Sequence, residues 1–438
     1  MEEEKANYKA LLPIGVFLVL YLGMGILFEY VLKVPMGFYN IPIVVVFLAA
    51  LLVACLQNPA MKFDDKLEVM AKGISDKNII TMVLIFLTAG IFVGVVGRSS
   101  AESVAYFLLS LVPPRFAVLV LFVVSAFVSL SLGTSVGTIT LIVPIGVAVA
   151  NGSGFALPLC VASVVGGAMF GDNLSFISDT TIAACNGQGC KMKDKFRENF
   201  GIALPAAIVT IVIIFIKTYG ANVEISIPDA YDLIQVVPYL LVLIGGIIGI
   251  NVFVVLLMGI GCGIVIMLAT GAATVTDMLA NMGTGVSSMF ETSMVAILVS
   301  AICALINEYG GFAALLSLIK KIFKGQKGGK LGMGLLVGAM DIATANNTVA
   351  IVMANPIAKE MADNYDISPR KAASILDTFS CIFQGIIPYG AQMLMAVAVS
   401  DQLGCSVSAF QIIPNLFYPY MLLLSVLVFV FLVPEKKK

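Results

Sequence analysis

Apolar runs long enough to cross a bilayer recur along the whole chain and restrict its possible folds more than any other feature. They occupy 11–30, 41–56, 79–98, 201–217, 236–252, 253–269, 291–308 and 413–433. Of the 438 residues, 60% are hydrophobic and only 12% are charged. In lipid, every backbone polar group needs a partner within the protein, and a helix supplies that partner within one segment. The sequence therefore predicts an all-α polytopic membrane protein whose main partner is the lipid bilayer.

Two residue types narrow the chemistry further. The chain contains no histidine, which excludes histidine metal sites, catalytic triads with a histidine base and imidazole pH sensors. Its eight cysteines form no CxxC pair, and its net charge of −1 does not favour nucleic acid. Proton chemistry near neutral pH must then use a carboxylate or a lysine with a shifted pKa. We expect neither an enzyme nor a cofactor, only transported or coupling ions.

Clusters of Lys and Arg predict the orientation of the chain in the membrane. Such clusters mark cytoplasmic loops. They occur in 57–78, 186–200, 319–330 and the C-terminal lysines, whereas 270–290 and 397–411 have none and 218–235 is acidic. This alternation predicts about ten crossings of the cell inner (plasma) membrane, with both termini cytoplasmic.

The two halves of the chain, 1–217 and 218–438, are related to each other. Segment 79–111 resembles 291–323 at an offset of 212, and shorter matches occur at 210 and 211. Basic loops of one half match uncharged or acidic loops of the other, which indicates inverted-topology repeats, a feature of secondary transporters. We predict scaffold-like helices at 11–56 and 236–269, through which a homodimer would form. The transport-like repeats would be 79–185 and 291–396, and a C-terminal helix would occupy 413–433.

Each repeat contains one segment too long for a simple crossing. Segment 117–150 would extend about 51 Å as a single helix, so we predict a re-entrant hairpin with its tip at 133–138. Segment 331–361 would be the matching hairpin, with its tip at Asn346 and Asn347. Segments 156–185 and 370–396 would then be crossings interrupted by polar or helix-breaking residues.

Polar residues cluster at the predicted tips and breaks. The stretch MFGDNLSFISDTT places Asp172 and Asp179 at a depth where each carboxylate costs about 2.5–3.5 kcal/mol, unless an ion, a proton or a partner compensates it. Carboxylate, hydroxyl and carbonyl oxygens suit a hard cation such as Na⁺. The alternatives are that these acids cap helices and that GTSVGT is a small-residue packing contact. The candidate ion- or substrate-binding residues are Thr134, Ser135, Thr138, Asp172, Ser175, Ser178, Asp179, Thr180, Asp341, Asn346, Asn347, Thr348, Asp377 and Gln384.

Four motifs of this chain resemble the NhaC-type Na⁺/H⁺ antiporter family. They are GTSVGT at 133–138, GGAMFGDNLS at 166–175, SDTT at 178–181 and CKMKDKFRENF at 190–200, with Phe176 standing where many relatives have proline. The resemblance implies a secondary antiporter in which Na⁺ and H⁺ compete for Asp172 and Asp179 during alternating access. Because relatives also exchange organic acids or amino acids, the alternative is a Na⁺- or H⁺-coupled transporter of such a solute. A channel and a membrane enzyme are the remaining, less favoured classes.

Overall fold

Every regular element in the described part of the chain is helical. The computed structural model describes residues 6–34, 41–111, 113–176, 178–219, 232–248 and 250–432. Most of the predicted acidic loop 218–235 and the C-terminal lysines lie outside these residues. The helices are α1 (Leu12–Ile26), α2 (Ile43–Leu56), α3 (Phe63–Ile74), α4 (Lys77–Leu111), α5 (Ala117–Leu132), α6 (Ser135–Ser153), α7 (Leu157–Leu174), α8 (Asp179–Gln188), α9 (Met192–Tyr219), α10 (Val237–Ile248), α11 (Val252–Ala269), α12 (Val275–Ser288), α13 (Phe290–Glu308), α14 (Gly311–Ile322), α15 (Gly325–Thr344), α16 (Asn347–Asn364), α17 (Pro369–Ile386), α18 (Ala391–Gln402), α19 (Ala409–Ile412) and α20 (Phe417–Leu432).

Eight helical stretches of the described residues are long and apolar enough to cross a membrane. They are Tyr8–Ile26, Ile79–Gly97, Ser135–Ser153, Leu157–Gln188, Met192–Tyr219, Val252–Ala269, Val275–Glu308 and Pro369–Gln402. The pair Ala409–Asn415 and Phe417–Leu432, bent by 50°, makes nine if it counts as one span. Shorter apolar helices cover Ile43–Leu56, Ala117–Leu132 and Leu233–Gly245. The predicted class, a multi-pass helical membrane protein, is confirmed.

Two pairs of helices fold back on themselves at a sharp tip. Between α5 and α6 the chain turns at Gly133, which has a φ of 69°, and Gly146 on α6 faces Leu121 on α5. Between α15 and α16 it turns at Ala345, which has a φ of 49°, and Gly332 faces Met361. In each pair this contact joins residues that lie at similar distances along the chain before and after the tip. The members of each pair are therefore antiparallel.

The two helix pairs point in opposite directions, and their tips meet. Helix α5 runs parallel to α7, and α15 runs parallel to α17, which continues through its break into α18 as one span. Helix α6 runs beside α18 in the same direction, because Gln392 contacts Ser135 at one end and Cys405 contacts Asn151 at the other. Helix α6 runs away from the first tip, whereas α15 runs towards the second tip and α18 continues in that same direction. Because α6 and α18 are parallel, the two helix pairs approach each other from opposite directions.

The elements of the two halves are related by a constant offset of 212 in sequence number. The matched boundaries are the starts of α3 and α12 (Phe63, Val275), the ends of α5 and α15 (Leu132, Thr344), the starts of α6 and α16 (Ser135, Asn347), the ends of α7 and α17 (Leu174, Ile386) and the starts of α8 and α18 (Asp179, Ala391). The same offset relates the bend of α4 at Gly97 to Tyr309, where α13 ends. The shorter sequence match at an offset of 210, which aligns 134–138 with 344–348, was therefore wrong by two residues, because Thr134 corresponds to Asn346.

Three lysines that helped to predict cytoplasmic loops are buried in the structure. Lys66, Lys195 and Lys330 belong to α3, α9 and α15, and at most 5% of each is exposed. The Lys66 ammonium donates to the carbonyl oxygens of Cys55 (2.7 Å) and Gln57 (2.9 Å) at the C-terminal end of α2. The description of 57–78 as a loop was wrong, because helix α3 occupies Phe63–Ile74. Lys66 can be buried there because the C-terminus of a helix offers free carbonyl acceptors to a cationic side chain.

Candidate functional site

A cavity of about 70 Å³ lies where the two tips meet the broken helices. Nine of the predicted site residues line it, together with Gly133, Gln392 and side chains from α4. The nine are Thr134, Ser135, Asp172, Asp179, Thr180, Asn346, Asn347, Thr348 and Gln384. Residues from both halves of the sequence therefore contribute to one site.

Local capping explains why the tips are ordered. Thr134 caps α6 by accepting a hydrogen bond from the Gly137 amide (3.4 Å), and Asn346 caps α16 by accepting one from the Val349 amide (3.0 Å). Side-chain oxygens at a helix N-cap satisfy amides that have no partner within the helix. The cap side chains therefore hold the tips, while the helix termini there present backbone polar groups at the cavity.

Asp172 is the buried charged group of the cavity. Only 4% of it is exposed, and its Oδ2 accepts a hydrogen bond from the Ser135 hydroxyl (2.7 Å). Ser178 is a second hydrogen-bond partner of the same carboxylate. Ser135 in turn accepts a hydrogen bond from the Gln392 amide (3.0 Å). Hydroxyl donors stabilise the ionised carboxylate without neutralising its charge.

Asp179 occupies a different environment in the same cavity. It is the first residue of α8 and is exposed, and it interacts electrostatically with Lys77 at the start of α4. A carboxylate in the first turn of a helix is also stabilised by the helix dipole. The cavity thus has one buried and one accessible carboxylate, and no Lys or Arg of the described residues lines it.

Five of the predicted site residues lie outside this cavity. Thr138 and Ser175 donate hydrogen bonds to the carbonyl oxygens of Thr134 (2.9 Å) and Leu130 (2.8 Å), so both hold the backbone. Ser178 caps α8 in addition to its contact with Asp172. The remaining two are the acids Asp341 and Asp377.

Asp341 and Asp377 are both fully buried but differ in their partners. Asp377 forms an ion pair with Lys195 and accepts a hydrogen bond from Asn199 (3.1 Å). The Asp341 carboxylate forms no ion pair within the described residues and interacts with the backbone of Gln384. The structure places neither acid in the lining of the cavity.

The sequence analysis missed two polar residues that the structure brings to this region. Gln392 lines the cavity and links Ser135 to Gln384, and it is the counterpart of Thr180 in the second half. An alignment of the two halves at an offset of 212 would have paired Gln392 with Thr180 and so identified it as a candidate site residue. Lys195 contacts the break in α7 and α8, but its position in a basic cluster gave no sign of burial.

Comparison with known proteins places the chain among transporters. Over 373 residues it is 22% identical to the Na⁺/H⁺ antiporter NhaC of Bacillus subtilis (strain 168), covering 77% of this chain and 82% of that protein. Over 225 residues it is 24% identical to the malate-2H⁺/Na⁺-lactate antiporter of the same organism, covering 50% of this chain and 45% of that protein. The chain thus spans less than half the length of the malate/lactate relative.

Structural similarity and a family model complete the comparison. The crystal structure of the Alcanivorax borkumensis YdaH transporter aligns with 97% of this chain and 98% of that chain, at a TM-score of 0.45 and 13% identity. The model of the Na⁺/H⁺ antiporter family matches residues 9–218 and 230–434, almost the whole chain. The chain therefore belongs to the Na⁺/H⁺ antiporter family, whose members are membrane transporters and not enzymes.

Proposed function

We propose that this protein is a secondary Na⁺/H⁺ antiporter that uses Asp172 and Asp179 in an alternating-access mechanism. The observation that carries the proposal is the charge of the central cavity. Two carboxylates line it together with hydroxyl, amide and carbonyl groups, and none of its described lining residues is basic. Oxygen ligands and negative charge favour a small hard cation.

Competition between Na⁺ and H⁺ for the same carboxylates would couple the two fluxes. Bound Na⁺ favours the ionised form of a carboxylate, and protonation removes the charge that holds Na⁺. The burial of Asp172 strengthens this competition, because a lone charge in a poorly solvated site is costly unless a proton or an ion neutralises it. Ser135 and Ser178 would keep the carboxylate in place in both states.

We infer that the two halves are inverted-topology repeats with ten crossings and two re-entrant hairpins. The opposed tips of α5–α6 and α15–α16 support this inference. If Ser135–Ser153 belongs to a hairpin, seven of the eight long spans remain as crossings. The bent C-terminal pair and the shorter helices Ile43–Leu56 and Leu233–Gly245 bring the crossings to ten. An even number agrees with both termini in the cytoplasm.

Two larger cavities outside the central site support alternating access. One of about 490 Å³ contains Glu291 and Asp401, and one of about 320 Å³ contains Lys72 and Asp76. Apolar side chains that include Phe86 and Leu394 lie around a gap of only about 10 Å³ next to the central cavity. Movement of the hairpins and broken helices against this layer would open the site to one end at a time.

Proton exchange in proteoliposomes tests the proposal. A Na⁺ gradient should drive an opposite proton flux in the natural protein, and Asp172→Asn and Asp179→Asn should reduce it to the rate of protein-free liposomes. Asp65→Asn, on the exposed surface of α3, makes the same chemical change away from the cavity and should leave the flux unchanged. Undiminished exchange in both cavity variants would refute the role of these acids, and single-channel currents would refute alternating access.

Coupled transport of an organic acid or amino acid is the second candidate, because one relative is a malate-2H⁺/Na⁺-lactate antiporter. A carboxylate solute normally requires a cationic partner, which the described lining of the central cavity lacks. Thermal stabilisation by a panel of such solutes, with and without Na⁺, separates the candidates. Stabilisation by an organic solute that depends on Na⁺ would favour this second function.

The division into scaffold and transport parts, with a homodimer formed through 11–56 and 236–269, remains a prediction. Helices α1, α2 and α11 expose apolar side chains such as Val19, Leu52 and Val265. Such surfaces suit both lipid and a second copy of the chain. Cross-linking between copies in native membranes would distinguish the two.

A further inference from the structure

The constant offset between the repeats assigns every residue of the first-repeat site a counterpart in the second repeat. Asp172 in the last turn of α7 corresponds to Gln384 in the last turn of α17. Gly133 at the first tip corresponds to Ala345 at the second, and Thr180 corresponds to Gln392. The two sites therefore have the same layout, but an amide replaces the buried carboxylate in the second.

The side-chain amide of Gln384 bridges two oxygen atoms in the second site. Its Nε2 donates to the carbonyl oxygen of Ala345 (2.9 Å) and to Oε1 of Gln392 (2.6 Å). The Ala345 carbonyl can only accept hydrogen bonds, so the nitrogen and not the oxygen of the amide must face it. The second site thus contains a group with partial positive charge, held between oxygens of the tip and of α18.

A hydrogen-bond donor between two oxygens takes the position that a cation occupies in an oxygen-lined site. Glutamine is one methylene longer than aspartate, so its amide nitrogen reaches beyond the place where an aspartate carboxylate ends. In the first repeat the shorter Asp172 leaves that place open. The corresponding oxygens there are the carbonyl of Gly133 and the hydroxyl of Thr180, and both residues line the central cavity.

We propose that the transported Na⁺ is bound by the Asp172 carboxylate, the Gly133 carbonyl and the Thr180 hydroxyl, and that Gln384 replaces a second cation in the other repeat. The protein then binds a single Na⁺. This inference rests on the proposed antiport function and defines its ion site. The Thr180 hydroxyl lies 2.6 Å from that of Ser178, to which it can donate its proton while a lone pair faces the ion. Asp179 corresponds to Ala391, so the comparison does not include it among these three ligands. As the accessible carboxylate of the same cavity, it would take part in the competition between Na⁺ and H⁺ without holding the bound ion.

Equilibrium binding of ²²Na⁺ to the purified full-length protein tests the ligand set. Thr180→Val removes the hydroxyl at nearly constant volume and should weaken Na⁺ binding about tenfold or more, as expected for the loss of one contact to a charged group. Thr180→Ser keeps the hydroxyl and should restore the affinity. Thr210→Val is the matched control, because that hydroxyl only donates to the Ala206 carbonyl within α9.

The number of bound ions tests the second half of the inference. The natural protein should bind one Na⁺, and Gln384→Asp with Gln392→Thr, which copies the first site into the second, should bind two. Natural affinity in Thr180→Val, or two Na⁺ bound by the natural protein, would overturn the inference. If the double variant does not fold, the Thr180 series decides alone.

Failure of the inference can be told apart from failure of the antiport function. If Asp172→Asn abolishes Na⁺ binding but Thr180→Val does not weaken it, the antiport proposal survives and the ligand set is wrong. If the natural protein binds no Na⁺, the antiport proposal and the inference both fall. If Thr180→Val weakens binding but no proton flux accompanies Na⁺, the site stands and antiport is wrong.

Discussion

Lys195 occupies a central position behind the break between α7 and α8. Its ammonium forms an ion pair with Asp377 on α17 and donates to the Asn173 carbonyl (2.8 Å) and the Thr181 hydroxyl (2.7 Å). Asn199, one turn further along α9, also contacts the Asn173 carbonyl (2.9 Å). Four helices therefore meet at one buried charge pair. We infer that this cluster positions the chain on both sides of the break that follows Asp172 and does not itself bind the ion.

The ion pair should stabilise the fold only as a pair. Lys195→Met leaves the Asp377 carboxylate buried without its counter-charge, and breaking a buried pair in this way costs about 3–5 kcal/mol. Lys195→Met combined with Asp377→Asn should cost clearly less, because no unpaired charge remains. Thermal unfolding in detergent, followed by circular dichroism, measures the difference, with exposed Lys191→Met as the control. Losses that simply add in the double variant would show that the charges are not coupled.

Sequence reasoning found the site residues that lie in recognisable motifs and missed those that depend on tertiary contacts. Asp172 and Asp179 stand out because carboxylates are rare in apolar segments. The partner of Lys195 is 182 positions away in the sequence, and a lysine in a basic cluster is normally exposed. Asp377 was predicted to bind ions for the same reason as Asp172, yet its counter-ion is a side chain of the protein.

At the level of helices, both repeats pack a glycine of one helix against a phenylalanine of the other, but the two residues lie on opposite members of the helix pair. Gly167 on α7 faces the backbone of Phe122 on α5. In the second repeat the glycine is Gly334 on α15, and the aromatic residue is Phe379 on α17. The positions correspond at the same constant offset, with small and large residues interchanged. Both arrangements bring a hairpin helix close to a broken crossing, as small residues allow in membrane proteins.

Because the small and large residues are interchanged, we expect the stability of the protein to respond differently when a methyl group is added at the glycine of each repeat. A Cβ at Gly334 would lie 2.5 Å from the Phe379 ring, so Gly334→Ala should cost about 1–3 kcal/mol. Phe379→Leu should recover part of that loss, because the obstacle is a side chain. A Cβ at Gly167 would lie 2.2 Å from the Phe122 carbonyl oxygen, a backbone atom that Phe122→Leu cannot remove.

The measurement is the midpoint of thermal unfolding for four variants. They are Gly334→Ala and Gly167→Ala alone, Gly334→Ala combined with Phe379→Leu, and Gly167→Ala combined with Phe122→Leu. Gly201→Ala is the control, because an added Cβ there meets no atom within 4 Å. Equal rescue in the two repeats would show that the backbone contact at Gly167 is not the limiting one.

The breaks and tips were predictable, whereas the amphipathic helices beside them were treated as loops. Polar residues and glycines inside apolar segments located the tips at Gly133 and Ala345 to within a residue or two. Helix α12 begins at a capping box formed by Thr274 and Asp277, a signal present in the sequence. This helix was not predicted because its residues are moderately polar and do not form a continuous apolar run. The same reason applies to α3.

We propose that a pseudo-two-fold relation, which exchanges the two repeats, organises the whole molecule. Helix α3 packs on α13 through Gly73 and Ser300, and its counterpart α12 packs on α4 through Gly285 and Gly90. Each amphipathic helix therefore contacts the opposite repeat. If the axis lies in the membrane plane, the cavities of about 490 Å³ and about 320 Å³ face opposite sides of the membrane. An exchange of conformations between the two repeats would then convert one open state into the other.

Side-specific labelling of two matched serines tests this arrangement. Ser75 and Ser287 are both exposed and are counterparts at the constant offset. Ser75 directly follows α3, and Ser287 lies in the last turn of the matched helix α12. In a background with the four partly exposed cysteines replaced by serine, we expect a membrane-impermeant maleimide to label Ser287→Cys in intact cells. Ser75→Cys should react only in inverted vesicles, because the lysines of segment 57–78 predict that it faces the cytoplasm. Labelling of both variants from one side would place the axis perpendicular to the membrane, and the opposed hairpin tips would then no longer support alternating access.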